Sequence, residues 1–327
     1  MELTVKSTKK DYSIHIENFL LDHIENYIDV NKHYIIISDS NVSKLYVNKL
    51  TNKLTNFYAV QFPEGEASKS LSQYENIIKN LLEKGIKKDS IIIALGGGVT
   101  GDLAGFVAAT ILRGVDYIQI PTTLLSQIDS SIGGKVGVNA SATKNSVGSI
   151  YPPNTVLIDP QVLNTLTLRH FNNGVAEMIK YGMIKSEALF NDLKNLDIKS
   201  NIDYYIYQCL LIKKDLVEKD EFDEFERHLL NFGHTFGHAY EAFYNYNKYL
   251  HGEAVGLGML LMVDENIKNE LKLVLKKYNL PYEDPAPKNK LINYIKLDKK
   301  LTSSGINIVR VDKIGEAYIT KKHIEEL

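Results

Sequence analysis

The first half of the chain repeats one pattern, a short run of β-branched and aromatic residues followed by a stretch with helical spacing. The apolar runs cover residues 34–38, 57–62, 91–95, 117–120 and 155–158, and helical spacing is clearest over 42–54 and 70–84. This order predicts βαβ units and a mostly parallel, doubly wound sheet. After Tyr151-Pro152-Pro153 and the last strand the texture changes to long amphipathic helices, at about 174–196, 202–218, 226–244 and 253–278. The expected architecture is an α/β N-terminal domain over residues 1–160, Rossmann-like with a mostly parallel sheet, and a mainly α-helical C-terminal domain over 161–327. The tail INIVRVDKIGEAYI reads as two short strands around a turn at 312–315, preceded by a polar loop, LDKKLTSSG.

Several function classes are excluded early. No segment approaches the roughly 20 apolar residues of a membrane span, and MELTVKSTKK lacks the apolar centre of a signal peptide, so a cytoplasmic protein is expected. A net charge of −2 gives no basic footprint for nucleic acid. Cys209 is the sequence's one cysteine, so any metal within the chain uses nitrogen and oxygen ligands. There are 34 lysines and four arginines, Arg113, Arg169, Arg227 and Arg310. An arginine in so lysine-rich a chain marks a place for the planar bidentate fork, although compositional drift explains the excess equally well.

Chemistry gathers first around LLNFGHTFGHAYEA, where His234 and His238 are four apart and share a helix face. A third histidine, His251, follows in YLHGEAVGLGM, and GVAEMIKYGMI places Glu177 and Lys180 one turn apart. A carboxylate and imidazoles can hold zinc; a histidine in an aromatic-rich helix is otherwise a hydrogen-bonded core residue. In the first half, GGGVTGDLAGF puts a glycine cluster between a strand and a helix expected to begin near Asp102. Such a turn lets backbone N–H groups approach a pyrophosphate, or is simply tight. Asp39 in ISDSNV suits a ribose hydroxyl, favouring NAD over NADP, or caps a helix. PEGEASKS supplies Glu66 and Lys69, and QIPTTLLSQIDSSIGGKVGVN supplies Asp129 and Lys135 with Lys144 and Asn145 just beyond, at the sheet edge where ligands bind in such folds.

Taken together, PEGEASKS, GGGVTGD, RGVDYIQIPTTLLSQIDSSIGGKVGVN, GVAEMIKYG, LLNFGHTFGHAYE and LHGEAVGLGM resemble the 3-dehydroquinate synthases, in that family's order and over about residues 39–300. The resemblance implies a dehydroquinate synthase-like fold with NAD on the N-terminal domain. It also implies a divalent metal, usually zinc with cobalt an alternative, on the C-terminal domain, and an active site in the cleft between them. Carried over by position, Glu177, His234 and His251 are the implied metal ligands, and His238 becomes a substrate or proton-handling residue. Implied NAD contacts are Asp39, Asn41, Glu64, Glu66, Lys69, Gly97, Gly98, Asp102, Thr122, Thr123, Lys135, Lys144 and Thr165. Asp129, Lys135, Asn145, Lys180, Lys213, Arg227 and Asn231 are implied around the substrate, with Lys299 or Lys300 from the tail. Arg113 is implied to come from a neighbouring subunit, hence a homodimer. The chain departs from the family at Asp223, where Glu is common, at Phe225-Glu226 in place of Gly-Leu, at Thr167 in place of Pro and at His170 in place of Glu.

The implied reaction turns 3-deoxy-D-arabino-heptulosonate 7-phosphate into 3-dehydroquinate and phosphate, by transient oxidation, elimination, reduction and aldol closure. One alternative is a sibling sugar phosphate cyclase, separated by substrate profiling. A second is a metal-dependent polyol dehydrogenase, which would release NADH and has little use for so many anion-binding residues. A third, a catalytically silent NAD-binding or scaffold protein, is disfavoured because all three implied metal ligands are present.

Overall fold

Strands that bury both faces organise the first half of the chain. The strands there are β1 (Glu2–Val5), β2 (Tyr12–Ile16), β3 (His33–Asp39), β4 (Asn56–Phe62), β5 (Ile91–Gly96), β6 (Asp116–Pro121), β7 (Lys135–Ala140), β8 (Thr143–Ile150) and β9 (Thr155–Ile158). In β3, Ile35 and Ile37 enter one apolar cluster with Ile92, Leu103 and Val107, while Tyr34 and Ile36 enter another with Leu20, Ile118 and Leu157. A sheet covered on both sides reads as a continuous apolar run, and that is why these strands are so apolar. Each such side chain contributes roughly 1.5–3 kcal/mol on burial.

The structure, a computed structural model, describes residues 1–140, 143–296 and 305–327 and divides into two compact units, Met1–Leu166 and Thr167–Leu327. The first unit holds a seven-stranded sheet in the order β1-β2-β9-β6-β5-β3-β4. All pairs in it are parallel except β1 with β2. From β3 onward the strands run second, first, third, fourth, fifth across the sheet, a doubly wound order whose switch point lies between β3 and β5. The expected strands all form. The expected helix over 42–54 forms as an unbroken helical stretch from Ser40 to Thr51, with a wider π turn at Ser43–Val47. The helix expected from Asp102 starts earlier, spanning Gly98–Thr110. The stretch with Lys135 and Asn145 is an antiparallel hairpin, β7 with β8, whose Val136 and Val138 join the core beside that helix.

The second unit is helical, and three of its four anticipated helices are subdivided. Ser186 caps Leu189 N at 3.2 Å and separates Leu168–Lys185 from Glu187–Asn195. Gly233, at φ 77°, separates a 3-10 turn at Glu226–Asn231 from the helix His234–Phe243. Between His251–Leu260 and Glu265–Lys277, Val263 bridges to Val311. Ile202–Lys219 is continuous, Lys288–Ile295 is an additional helix, and the tail forms a ribbon of β10 (Ile306–Lys313) and β11 (Glu316–Lys322). The expected loop before that ribbon, with Lys299 and Lys300, lies outside the described residues except at Gly305. Among the described residues no helix is long and apolar enough to cross a membrane.

One buried carboxylate fixes the connection between the two histidine-bearing helices. Asp284 accepts from Tyr244 Oη at 2.9 Å, Tyr249 Oη at 2.6 Å, Lys248 Nζ at 2.8 Å and Ala286 N at 2.8 Å. Burial disfavours its charge, but the bonds from Lys248, Tyr249, Ala286 and Tyr244 outweigh that and hold the carboxyl below its ordinary value. A depressed carboxyl pKa stabilises the fold above the unfolded-state value and loses that contribution as pH falls through the folded one. Asp284→Asn is expected to cost about 1–3 kcal/mol in urea unfolding at pH 7, and the deficit should shrink steadily below pH 3.8. A deficit independent of pH would show that the charge at Asp284 contributes nothing.

Candidate active site

In the first unit, expected ligand residues converge on the switch point. Asp39 ends β3 and caps the following turn, its Oδ1 accepting from Asn41 N at 2.9 Å and Val42 N at 3.0 Å. Its Oδ2 lies 3.4 Å from Thr100 Oγ1, on the helix that follows β5. Gly97 stands at the cap of that helix with no side-chain cap, leaving its N-terminus to backbone N–H groups. A Cβ at Gly97 would come within 3.1 Å of Thr123 Cγ2, so the backbone packs closely on the segment after β6. There Thr122 Oγ1 is buried with no hydrogen-bond partner among the described residues, an arrangement that suits a bound polar group.

Around this edge the other predicted residues are tied to one another. Lys69 is buried and ion-paired with Asp102. Asn139 of β7 donates to Glu66 Oε1 at 2.9 Å and accepts from Asn145 N at 2.8 Å, and its own N–H donates to Lys69 O at 2.9 Å. Glu64 N donates to Ser40 Oγ at 3.3 Å, beside Asn41. Thr165 bonds Tyr46 Oη at 2.6 Å. Asp129 lies in the turn Ser126–Ser130, Lys135 opens β7 and Lys144 is half-buried in β8. Arg113 sits in an exposed turn in which both Leu112 and Arg113 have positive φ, 49° and 61°. Such angles are uncommon for side chains of this size.

In the second unit Glu177, on the helix Leu168–Lys185, is 0% exposed. Its Oε2 is ion-paired with Lys180, while its Oε1 accepts no hydrogen bond. His234 Nε2 lies 3.7 Å and His251 Nε2 3.9 Å from Glu177 Oε1. Ligand atoms on a shared tetrahedral zinc stand about 3.4 Å apart, so these three could close on a cation with small movements. Burial first, then Lys180 and the other two imidazoles, hold the His234 pKa well below its ordinary value. The ring is therefore neutral, as a metal ligand must be. His238 shares the cluster, its ring centroid 5.6 Å from that of His234 and 5.9 Å from that of His251.

Glycines allow this convergence. A Cβ at Gly258 would overlap Gly233 O and one at Gly252 would overlap Asn173 O, so His251–Leu260 meets both its neighbours backbone to backbone. Gly252 N donates to Asn173 Oδ1 at 2.7 Å, pinning His251 beside the helix that carries Glu177. Glu253 secures the same helix start, accepting from Leu250 N at 2.8 Å and, through both oxygens, from Arg169 at 2.7 Å each. Lys213 and Arg227 are buried, on elements that pack against Leu168–Lys185, and Asn231 ends the turn carrying Arg227. Of the departures, Thr167 caps His170 N at 3.3 Å. Phe225 is 72% exposed, with its N–H and that of Arg227 donating to Asp220. Sequence reasoning missed Glu241, Glu253 and Asp284. Glu241 alone carried a signal, lying seven residues from His234 and three from His238 on one helix face.

Two family models match, described as 3-dehydroquinate synthase N-terminal over residues 59–173 and 3-dehydroquinate synthase C-terminal over 174–301. The 3-dehydroquinate synthase of Clostridium botulinum (strain Alaska E43 / Type E3) is 43% identical, over 99% of each chain. Among solved structures, 2-deoxy-scyllo-inosose synthase with carbaglucose-6-phosphate, NAD+ and Co2+ superposes with a TM-score of 0.89 at 25% identity, over 99% of this chain and 97% of its own. The 2-epi-5-epi-valiolone synthase of Streptomyces hygroscopicus subsp. jinggangensis 5008, with NAD+ and Zn2+ bound, gives 0.87 at 25% identity over 98% and 97%.

The glycine contacts make a direct prediction. Gly258→Ala must push apart two backbones and should destabilise the protein by about 1–3 kcal/mol in urea unfolding. At Gly256 the nearest atom to an added Cβ is the side-chain tip Leu275 Cδ2 at 3.1 Å, and Gly256→Ala should stay within about 1 kcal/mol of the parent. Equal effects would refute the backbone-contact account.

Proposed function

The chain belongs to the 3-dehydroquinate synthase family, and on that premise we propose that it converts 3-deoxy-D-arabino-heptulosonate 7-phosphate into 3-dehydroquinate and phosphate, using NAD and a divalent cation, zinc or cobalt. The observation that carries this reading is the buried Glu177 carboxylate, whose Oε1 accepts no hydrogen bond and is faced by two imidazole Nε2 atoms. Identities of about 40% to named synthases over nearly the whole chain favour this substrate over those of the sibling cyclases, which stand at 25%.

The donor set fits the cation. One carboxylate and two imidazoles are the nitrogen and oxygen ligands zinc accepts, and three protein ligands leave a coordination position for substrate oxygen. In the first unit the open helix N-terminus at Gly97 and Gly98, the carboxylate of Asp39 and the buried Thr122 hydroxyl fit a dinucleotide. When bound, NAD accepts and returns a hydride while the cation acts as a Lewis acid on substrate oxygen.

The chain's own residues do the rest. Lys180, Lys213 and Arg227 are each at most 5% exposed, and buried cations attract a carboxylate or phosphate far more strongly than exposed ones. Arg227 presents a fork suited to two oxygens at once. His238 lies against the proposed ligands without being one, and we assign it the proton transfer. Substrate roles for Asp129, Lys135, Asn145 and Asn231, the contribution of Arg113 to a partner chain in a homodimer, and a cytoplasmic location belong to the same proposal.

The test is phosphate release from the heptulosonate phosphate with catalytic NAD, before and after chelation. The expected result is stoichiometric phosphate without net NADH, lost on chelation and restored by zinc. NADH accumulating without phosphate would indicate a dehydrogenase, and turnover of a sibling cyclase substrate instead would move the assignment there. His238→Ala with metal bound is expected to lower kcat about 10²–10⁴-fold; unchanged turnover would remove His238 from proton transfer.

A further inference from the structure

His251 stands between two buried carboxylates. Its Nε2 faces Glu177 Oε1 at 3.9 Å, and its Nδ1, across the ring, faces Glu241 Oε1 at 3.6 Å. Glu241 is 4% exposed and lies on the helix His234–Phe243, on the face that carries His234 and His238. A carboxylate so far from water is costly unless positive or polar hydrogens face it. We propose that Glu241 is a positioning residue for the cation site, fixing the tautomer and ring angle of His251 from behind; this rests on the reading of Glu177, His234 and His251 as ligands.

The geometry of the other imidazole supports it. His234 Nδ1 lies 3.1 Å from Phe232 O, so that nitrogen carries the proton and Nε2 presents its lone pair toward Glu177. Glu241 does for His251 what the carbonyl does for His234, with a stronger acceptor. At 3.6 Å the pair is a few tenths of an ångström beyond a hydrogen bond. A slight turn of the ring reaches it. An imidazole whose far N–H donates to a carboxylate is also a more basic ligand, and removing such a partner typically weakens metal affinity 10–100-fold.

The experiment measures Zn2+ affinity by competition with a chromophoric chelator. The visible spectrum of the Co2+-loaded protein and circular dichroism accompany it, for the parent, Glu241→Ala, Glu241→Gln and His251→Ala. The expected result is a folded Glu241→Ala protein with Zn2+ affinity lowered about 10–100-fold and an altered Co2+ spectrum. Glu241→Gln keeps an acceptor oxygen and should recover part of the affinity, which also serves if Glu241→Ala does not fold. Parent-like affinity and spectrum in both Glu241 variants, with binding lost in His251→Ala, would overturn the positioning role and leave the cation site standing. Parent-like binding in His251→Ala would overturn the cation site itself. His238, Glu241 and His251 also form a group whose ligand atoms lie within 4.8 Å of one another. Two zinc ions per chain, one lost with Glu241, would therefore make Glu241 a ligand and overturn the proposal.

Discussion

A carboxylate shut off from solvent dictates what its neighbours must be. Glu177 sits mid-helix at 0% exposure, and Lys180 one turn along pairs with its Oε2 but leaves its Oε1 without a hydrogen bond. Ionised, it requires positive charge or polar hydrogens nearby. The fold turns two imidazoles to face it, one held neutral by burial. Such a constellation is unfavourable as a mere core, since apolar residues of the same size would serve better there. On the reading proposed above, a cation among these groups would offset that cost.

The first unit shows the complementary case, in which backbone rather than side chain does the positioning. Its parallel strands end together, and the reversal of strand order between β3 and β5 falls where Asp39 ends β3 and Gly97 follows β5. Polar side chains at that edge are tied to the scaffold, with Asp39 capping a turn, Lys69 paired with Asp102 and Asn139 joining Glu66 to Asn145. A ligand entering there finds groups already held in place, which reduces the ordering cost of binding.

Periodicity made the sheet legible because strands buried on both faces have to be apolar throughout. It overran the helix boundaries in the second unit because an apolar stripe continues through a break set by one residue, as at Ser186 or Gly233. The hairpin of β7 and β8 was hidden because its glycines and serines resemble a loop, while Val136, Val138 and Val147 pack inward. Family resemblance brought Glu177, His234 and His251 together from across the chain, where spacing had paired His234 with His238. Of the residues that hold those groups, Glu253 and Asp284 looked like ordinary surface acids, and Glu241 was marked by its spacing from the two histidines alone. Their burial follows from contacts between segments far apart in sequence, and a charge in a sequence carries no sign of that.

The glycines of the histidine-bearing helices also bear on how such a protein can change over generations. Where Gly258 lies on Gly233 and Gly252 on Asn173, the helices join as a keyed joint with no side chain to trim or lengthen. Mutational drift therefore cannot tune the spacing of the imidazoles gradually. The outer face of Glu265–Lys277, with its lysines and glutamates, takes no part in these backbone contacts, so a change of side chain there leaves the joint as it is.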